Sequence, residues 1–235
     1  MSTMSARERM LGRLRAAAPA ATPDCDGLGE RIDRHYAQRR GHASQAADLV
    51  PAMQAAMSAS RAEVWCAAAD AWPALLAQQL AAHGVRRLLL DPASAEGAAL
   101  ARALPDSVQA LPFVRPLEAW KNELFDTVDA GFTVARSGIA ATGTLILAPD
   151  AGTPRTVSLV PSLHVALVYA STLHADLHAA VRAERWRDGM PANLVLASGP
   201  SKTSDIQQTL AYGAHGPRWM WVVIVTDIPA QGATR

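Results

Sequence analysis

The sequence predicts an α/β protein: a three-layer, open and mostly parallel sheet, interrupted by a β-rich insertion and preceded by a helical extension. Three observations predict it. From Arg61 onward, apolar runs of strand length (62–67, 85–90, 108–113) alternate with helix-length segments (74–83, 93–103), the pattern of a parallel sheet with helices on its faces. Beyond residue 127, β-rich runs at 127–135, 143–147, 156–160 and 164–169 follow one another too closely for a helix in each gap, so some of them should pair antiparallel. Two further apolar runs, 194–197 and 219–225, are bounded by Gly and Pro as buried strands are.

The elements follow in order. Ser5 and Glu8 have capping-box spacing, and Met10, Leu11 and Leu14 then share one face of a helix dominated elsewhere by Arg7, Arg9, Arg13 and Arg15. That narrow apolar face suits packing on its own domain or on a second copy of the chain, so a homodimer is an assembly to test. Residues 19–29 read as a linker rich in Pro, Asp and Gly, and 31–40 and 44–60 as helices. Residues 1–60 are thus expected to form an N-terminal helical extension and 61–235 the α/β domain. Asp91, closing the second strand, suits a helix cap better than a ligand-facing turn. Residues 116–125 read as helical, with Trp120 and Phe125 as core anchors rather than a cofactor platform. A helix is expected over 173–186.

Composition excludes several classes. The 235 residues can bury a sizeable core. Half are hydrophobic, 18% are charged and the formal net charge is +1, which makes no global case for nucleic acid or a membrane surface. Cys25 and Cys66 are the only cysteines and form no C-x-x-C, so the chain cannot hold an iron–sulfur cluster on its own thiolates. Two scattered cysteines suit a reducing cytoplasm. No apolar run has membrane-spanning length, and the N-terminus lacks a signal-peptide centre.

The richest stretch runs from Ser198 to Pro217. Ser204 and Gln207 have capping-box spacing, Asp205 suits the positive end of a helix, Gly213 is a natural stop and Pro217 bars continuation. The unit reads as strand, polar loop, helix, strand. The loop Gly199, Pro200, Ser201, Lys202 and Thr203 is expected at the carboxyl end of a buried parallel strand, where ligands of open sheets collect. Hydroxyls, one ammonium and free helix N–H groups would make it a site for carboxylate or phosphate; the competing reading is a tight turn with a solvated lysine. It is not a Walker A loop. Thr142, Gly143 and Thr144 form a second small, hydroxyl-rich turn. His215, between Gly213 and Gly216, could polarise a carbonyl or shuttle a proton, or simply be a hydrogen-bonded turn residue. His164 suits a satisfied core histidine. His174 and His178 are spaced i, i+4 as in zinc sites, but no third ligand is spaced with them and no metal site is expected.

Ser198-Gly-Pro-Ser-Lys-Thr-Ser-Asp-Ile-Gln-Gln-Thr-Leu-Ala-Tyr-Gly-Ala-His-Gly-Pro-Arg218 resembles the C-terminal motif of the LUD domain, most closely of the lactate-utilisation protein C type. Gly138-Ile-Ala-Ala-Thr-Gly-Thr-Leu-Ile-Leu147 and Arg155-Thr-Val-Ser-Leu-Val-Pro-Ser-Leu-His-Val165 carry the same resemblance. It implies the fold shared by glucosamine-phosphate deaminase, ribose-phosphate isomerase and CoA transferases. It also implies a cytoplasmic component of a three-protein, iron–sulfur-dependent system oxidising L-lactate to pyruvate. The clusters would sit in the partner proteins, and this chain, with no cofactor of its own, would bind the small carboxylate or help assemble the complex. Ala141 stands where the family has an acidic residue before Thr-Gly-Thr, which removes any acid–base or metal role there. The alternative is a stand-alone enzyme of isomerase or CoA-transferase kind acting on a small anionic metabolite, by fold analogy. It needs a carboxylate, for which Glu96, Glu123 and Asp205 are the candidates.

Overall fold

The computed structural model describes residues 5–17, 27–39, 46–204 and 210–226. The chain divides into two compact units, Met1–Gly41 and His42–Arg235. The first holds α1 (Ala6–Ala17) and α2 (Leu28–Arg39). The predicted capping box starts α1: Glu8 N–H donates to Ser5 Oγ at 3.2 Å and Ser5 N–H to Glu8 Oε2 at 2.7 Å. Hydrogen bonding from the Ser5 backbone N–H, and from its side chain, holds the Glu8 carboxyl below the usual carboxylate range. Of the expected apolar face, Met10 and Leu14 are exposed and Leu11 is half-buried.

The second unit opens with α3 (Ala46–Ala59), which the sequence reading placed in the extension. Its Met53 and Met57 are fully buried. The alternation follows as predicted: β1 (Glu63–Ala67), α4 (Trp72–Ala82), β2 (Arg87–Leu89), α5 (Ala95–Ala103), β3 (Gln109–Leu111) and α6 (Lys121–Thr127). Then come β4 (Ala130–Val134), β5 (Ser137–Ile139), β6 (Thr144–Leu147), α7 (Arg155–Leu159), β7 (Leu163–Tyr169), β8 (Leu173–His174) and α8 (Leu177–Ala183). The last strands are β9 (Val195–Ala197), β10 (Lys202–Ser204), β11 (Leu210–Tyr212) and β12 (Trp219–Val225).

Six strands form the central sheet in the order β1-β12-β7-β4-β2-β3, every pairing parallel. β12, seven residues with no charge, lies between β1 and β7 and is buried on both faces, as a central parallel strand should be. On one face Trp221, Val223 and Val225 join Leu76 and Leu80 of α4 and Leu100 of α5. On the other, Met220, Val222 and Ile224 meet Met53 and Met57 of α3 and Leu145 and Leu147 of β6. The β-rich insertion becomes a separate four-stranded sheet, β8-β5-β6-β9, on that second face. Its β5–β6 pairing is antiparallel, as the short gap required; β6–β9, between strands distant in the chain, is antiparallel as well.

Several local expectations are corrected. Residues 156–160 form no strand: α7 packs its backbone on β4, where a Cβ at Gly131 would lie 2.0 Å from Val157 O. The helix expected over 173–186 begins only at α8, because Asp176 caps it, accepting from Ala179 N–H at 2.7 Å. His174 sits on β8 and His178 on α8, so the two share no helix face. Trp120 is buried as expected, but Phe125 is 56% exposed. Ser94, not Asp91, caps α5 by accepting from Gly97 N–H at 3.0 Å; Asp91 Oδ1 accepts from Ala93 N–H in the preceding turn.

The larger correction concerns residues 194–212. β9 is an edge strand of the small sheet, antiparallel to β6, and Leu196 is 51% exposed. The helix predicted from Ser204 does not start there. Lys202, Thr203 and Ser204 pair antiparallel with Tyr212, Ala211 and Leu210 in a two-stranded hairpin; Asp205 and Gln207 lie outside the described residues. Tertiary ties override the capping signal: Gly213 N–H donates to Ser201 O at 3.0 Å, closing the hairpin base. Gly213 is therefore a turn glycine, with φ 78° and Arg218 packed where a Cβ would be.

Candidate functional site

The turn leaving β9 binds to the amino end of the central sheet, not to a carboxyl end as expected. Ser201 N–H donates to Pro217 O at 2.8 Å, just before β12, while Arg218 N–H donates to Ser162 O at 2.8 Å, just before β7. At the opposite edge, Tyr169 OH donates to Glu96 Oε1 at 2.7 Å. Burial, reinforced by Glu96, pushes the Tyr169 hydroxyl well above its ordinary range.

Two hydroxyls anchor the turn from the side. Thr144 Oγ1 lies 2.7 Å from Ser198 Oγ, and Thr142 Oγ1 lies 2.7 Å from Thr144 Oγ1. The predicted Thr142–Thr144 turn thus touches the site through Ser198 while packing into the core. Gly143 has φ 59°, and a Cβ there would meet Met57 N at 2.6 Å, so only glycine lets α3 sit this close. Gly199 works similarly at φ 145°: a Cβ would lie 2.8 Å from Ser60 O.

The turn divides two clefts. The first, about 210 Å³, holds Ser201, His215, Gly216 and Pro217 with Ser158 and His164, against an apolar wall of Leu147, Leu159 and Val195. His164 is almost wholly buried, and its Nε2 is 2.8 Å from Thr133 Oγ1. Burial pushes its imidazole down to about 4, so at neutral pH the ring is an uncharged polar group lining the cleft. The expected core histidine is therefore also a cleft residue. Ser158, likewise buried, donates to Arg155 O at 3.1 Å.

The second cleft, about 470 Å³, is lined by Ser60, Arg61, Pro200, Lys202 and Tyr212, and shares Leu196, Ser198 and Gly199 with the first. Arg61 ends α3 in a Schellman turn: its N–H donates to Ser58 O and Ala62 N–H to Met57 O, both at 3.0 Å. Glycine usually takes this left-handed position; here it is arginine with φ 68°. The guanidinium carbon lies 4.8 Å from the Tyr212 ring centroid, a cation–π contact.

The predicted residues therefore part company. Ser201 and His215 face one cleft, Lys202 and Pro200 the other, Gly199 lines both, and Thr203 lies in the hairpin strand β10. Sequence reasoning missed Arg61, Ser60, Tyr212 and Ser158. Nothing marked Arg61, because a left-handed C-cap is legible only when it is glycine or asparagine. Among the described residues neither lining contains a carboxylate. Glu123 is paired with Arg87 and Arg115, which hold its carboxyl below the usual range. Among the described residues no three His, Cys, Asp or Glu gather as a metal group, and no helix is long and apolar enough to cross a membrane.

A parallel sheet backed by a small, mixed one, with this turn between them, defines an α/β domain. Residues 50–225 match the LUD domain model, and the chain belongs to that family. It is 37% identical over 225 residues to an uncharacterized protein of Neisseria meningitidis serogroup B, covering 94% of each chain. It is 34% identical over 108 residues to the lactate utilization protein C of Shouchella clausii, covering 45% of this chain and 47% of that one. A similar match, 34% over 110 residues, is to the lactate utilization protein C of an Exiguobacterium species, 45% of this chain and 48% of that one. The chain thus spans about half the length of those two relatives. A crystal structure of a DUF162 family protein from Deinococcus radiodurans superposes with TM-score 0.56 at 23% identity, over 77% of this chain and 98% of that one, a likeness of fold.

Proposed function

We propose that this chain serves lactate utilisation in the cytoplasm as a subunit that binds a small α-hydroxy carboxylate in the His215 cleft. Iron–sulfur partner proteins would accept the two electrons released as lactate becomes pyruvate, and the two protons would leave to solvent. The relatives named lactate utilization protein C support the setting. The observation that carries the site is the lining of that cleft: Ser201, Ser158, His164 and His215 beside Leu147, Leu159 and Val195. Its volume, about 210 Å³, falls below the range of about 300–1,000 Å³ typical of drug-sized pockets. A three-carbon acid fits that chemistry, with its methyl on the apolar wall and its carboxylate and hydroxyl toward serine and imidazole. Buried and uncharged, His164 can donate or accept one hydrogen bond without an ionic partner.

A stand-alone isomerase or transferase needs an acid–base carboxylate; among the described residues neither cleft lining contains one, and Asp205 lies outside them. The test is to purify the chain with and without its genomic neighbours and follow lactate-dependent dye reduction, with calorimetric lactate titration of the chain alone. We expect turnover only with partners, and binding about tenfold weaker in His215→Ala, near the lower value of a charge-assisted hydrogen bond, about 1.5 kcal/mol. Robust oxidation by the isolated chain would overturn the partner requirement. Binding indifferent to both His215→Ala and Ser201→Ala would remove lactate from this cleft.

A further inference from the structure

The second cleft is left without a role by the lactate reading. Two cations, Arg61 and Lys202, line it together with the hydroxyl-bearing residues Ser60, Ser198 and Tyr212, and among the described residues no carboxylate does. Arg61 comes from the end of α3 and Lys202 from the hairpin, so the pair exists only because the Gly199 turn packs on Ser60. Arg61 holds a left-handed backbone where glycine costs less. Its guanidinium lies over Tyr212, which orients the fork of N–H donors. The cleft is also more than twice as large as its neighbour, about 470 Å³ against 210 Å³.

We propose that this cleft is a binding site for a phosphate monoester, with Arg61 and Lys202 gripping the dianion and the remaining volume taking the organic part. Two permanent cations suit two negative charges, and a guanidinium presents paired donors to two phosphate oxygens while an ammonium adds a point charge. A monocarboxylate would use half of that charge and little of that space. The site does not depend on lactate binding next door, since among the described residues the two linings share only Leu196, Ser198 and Gly199.

The test is calorimetric titration of the full chain with glycerol 3-phosphate and with inorganic phosphate, at low and high salt, beside a parallel lactate titration. Glycerol 3-phosphate is expected to bind more tightly than inorganic phosphate, with affinity falling as salt rises. Arg61→Gln and Lys202→Gln should each weaken it about tenfold, and Arg61→Lys less than Arg61→Gln. His215→Ala should leave it unchanged. Lys202 is exposed, so Lys202→Gln keeps the test sound even if an Arg61 variant folds poorly. Absence of phosphate binding to the wild type, or affinity unchanged in Lys202→Gln, would overturn the proposal. Loss of lactate binding alone in these variants would also overturn it and move the carboxylate into this cleft; loss in His215→Ala alone would leave the lactate site standing where it is.

Discussion

Among the described residues, the two clefts on either side of the Ser198–Gly199 turn share three lining residues and differ in the rest. The His215 cleft is small, mostly apolar, and lined in part by a histidine, His164, that burial keeps uncharged. The Arg61 cleft is larger, polar and carries two permanent charges. One turn can therefore serve two chemistries, because the charge is supplied by what packs on each side of it. Motif residues read as one site are split by a single backbone reversal.

The comparison breaks most completely at Gly199. A side chain there must adopt φ 145° and displace Ser60 O. Strain of about 1–3 kcal/mol and overpacking of similar size should make Gly199→Val lose roughly 4 kcal/mol of stability, read by denaturant unfolding, with both ligands lost together. Survival of either binding activity would show that the clefts are held independently.

Acid should separate the clefts next. The folded-state value of His164, about 4, lies below its ordinary 6.5. Its contribution is therefore complete above the unfolded value and is lost as pH falls from about 6.5 through 4. At most about 3 kcal/mol is involved, from 1.36 kcal/mol per unit. Unfolding midpoints from pH 7 to 4 should fall less in His164→Gln than in wild type, once both are referenced to pH 7. Equal slopes would place the acid sensitivity elsewhere.

A smaller effect is expected where the clefts meet. Ser198→Ala removes one hydrogen-bond partner of Thr144 Oγ1 and leaves it Thr142 Oγ1. It should cost about 1 kcal/mol by thermal unfolding and weaken both ligands modestly. A loss confined to one cleft would assign the Ser198 hydroxyl to that side.

The smallest stability change sharpens the contrast most. Arg61→Gly relieves the left-handed strain, about 1–2 kcal/mol, but gives up the contact with Tyr212, about 0.5–1 kcal/mol, and adds freedom to the unfolded chain. The melting temperature should hardly move, while phosphate binding falls and lactate binding does not. A large destabilisation would make Arg61 a structural cap first.

By itself the sequence determined the α/β class, the parallel order implied by alternation, the antiparallel insertion and the capping box at Ser5. Each is a local signal: the period of apolar residues, the length of gaps, or a cap spacing that neighbours can satisfy. It also marked the Ser198–Pro217 stretch as the place to look. Tertiary structure decided the rest. The capping pattern at Ser204 gave way to a hairpin because Ser201 bonds Pro217 and Gly213, residues distant along the chain. The site moved to the amino edge of the sheet because β9 pairs with β6 rather than joining β12. Arg61 and Lys202, 141 positions apart in the numbering, meet at one cleft only because Gly199 lacks a side chain that would separate them. Short-range patterns carry no information about which distant backbone will be packed beside them, and in this protein that packing divides one motif into two clefts.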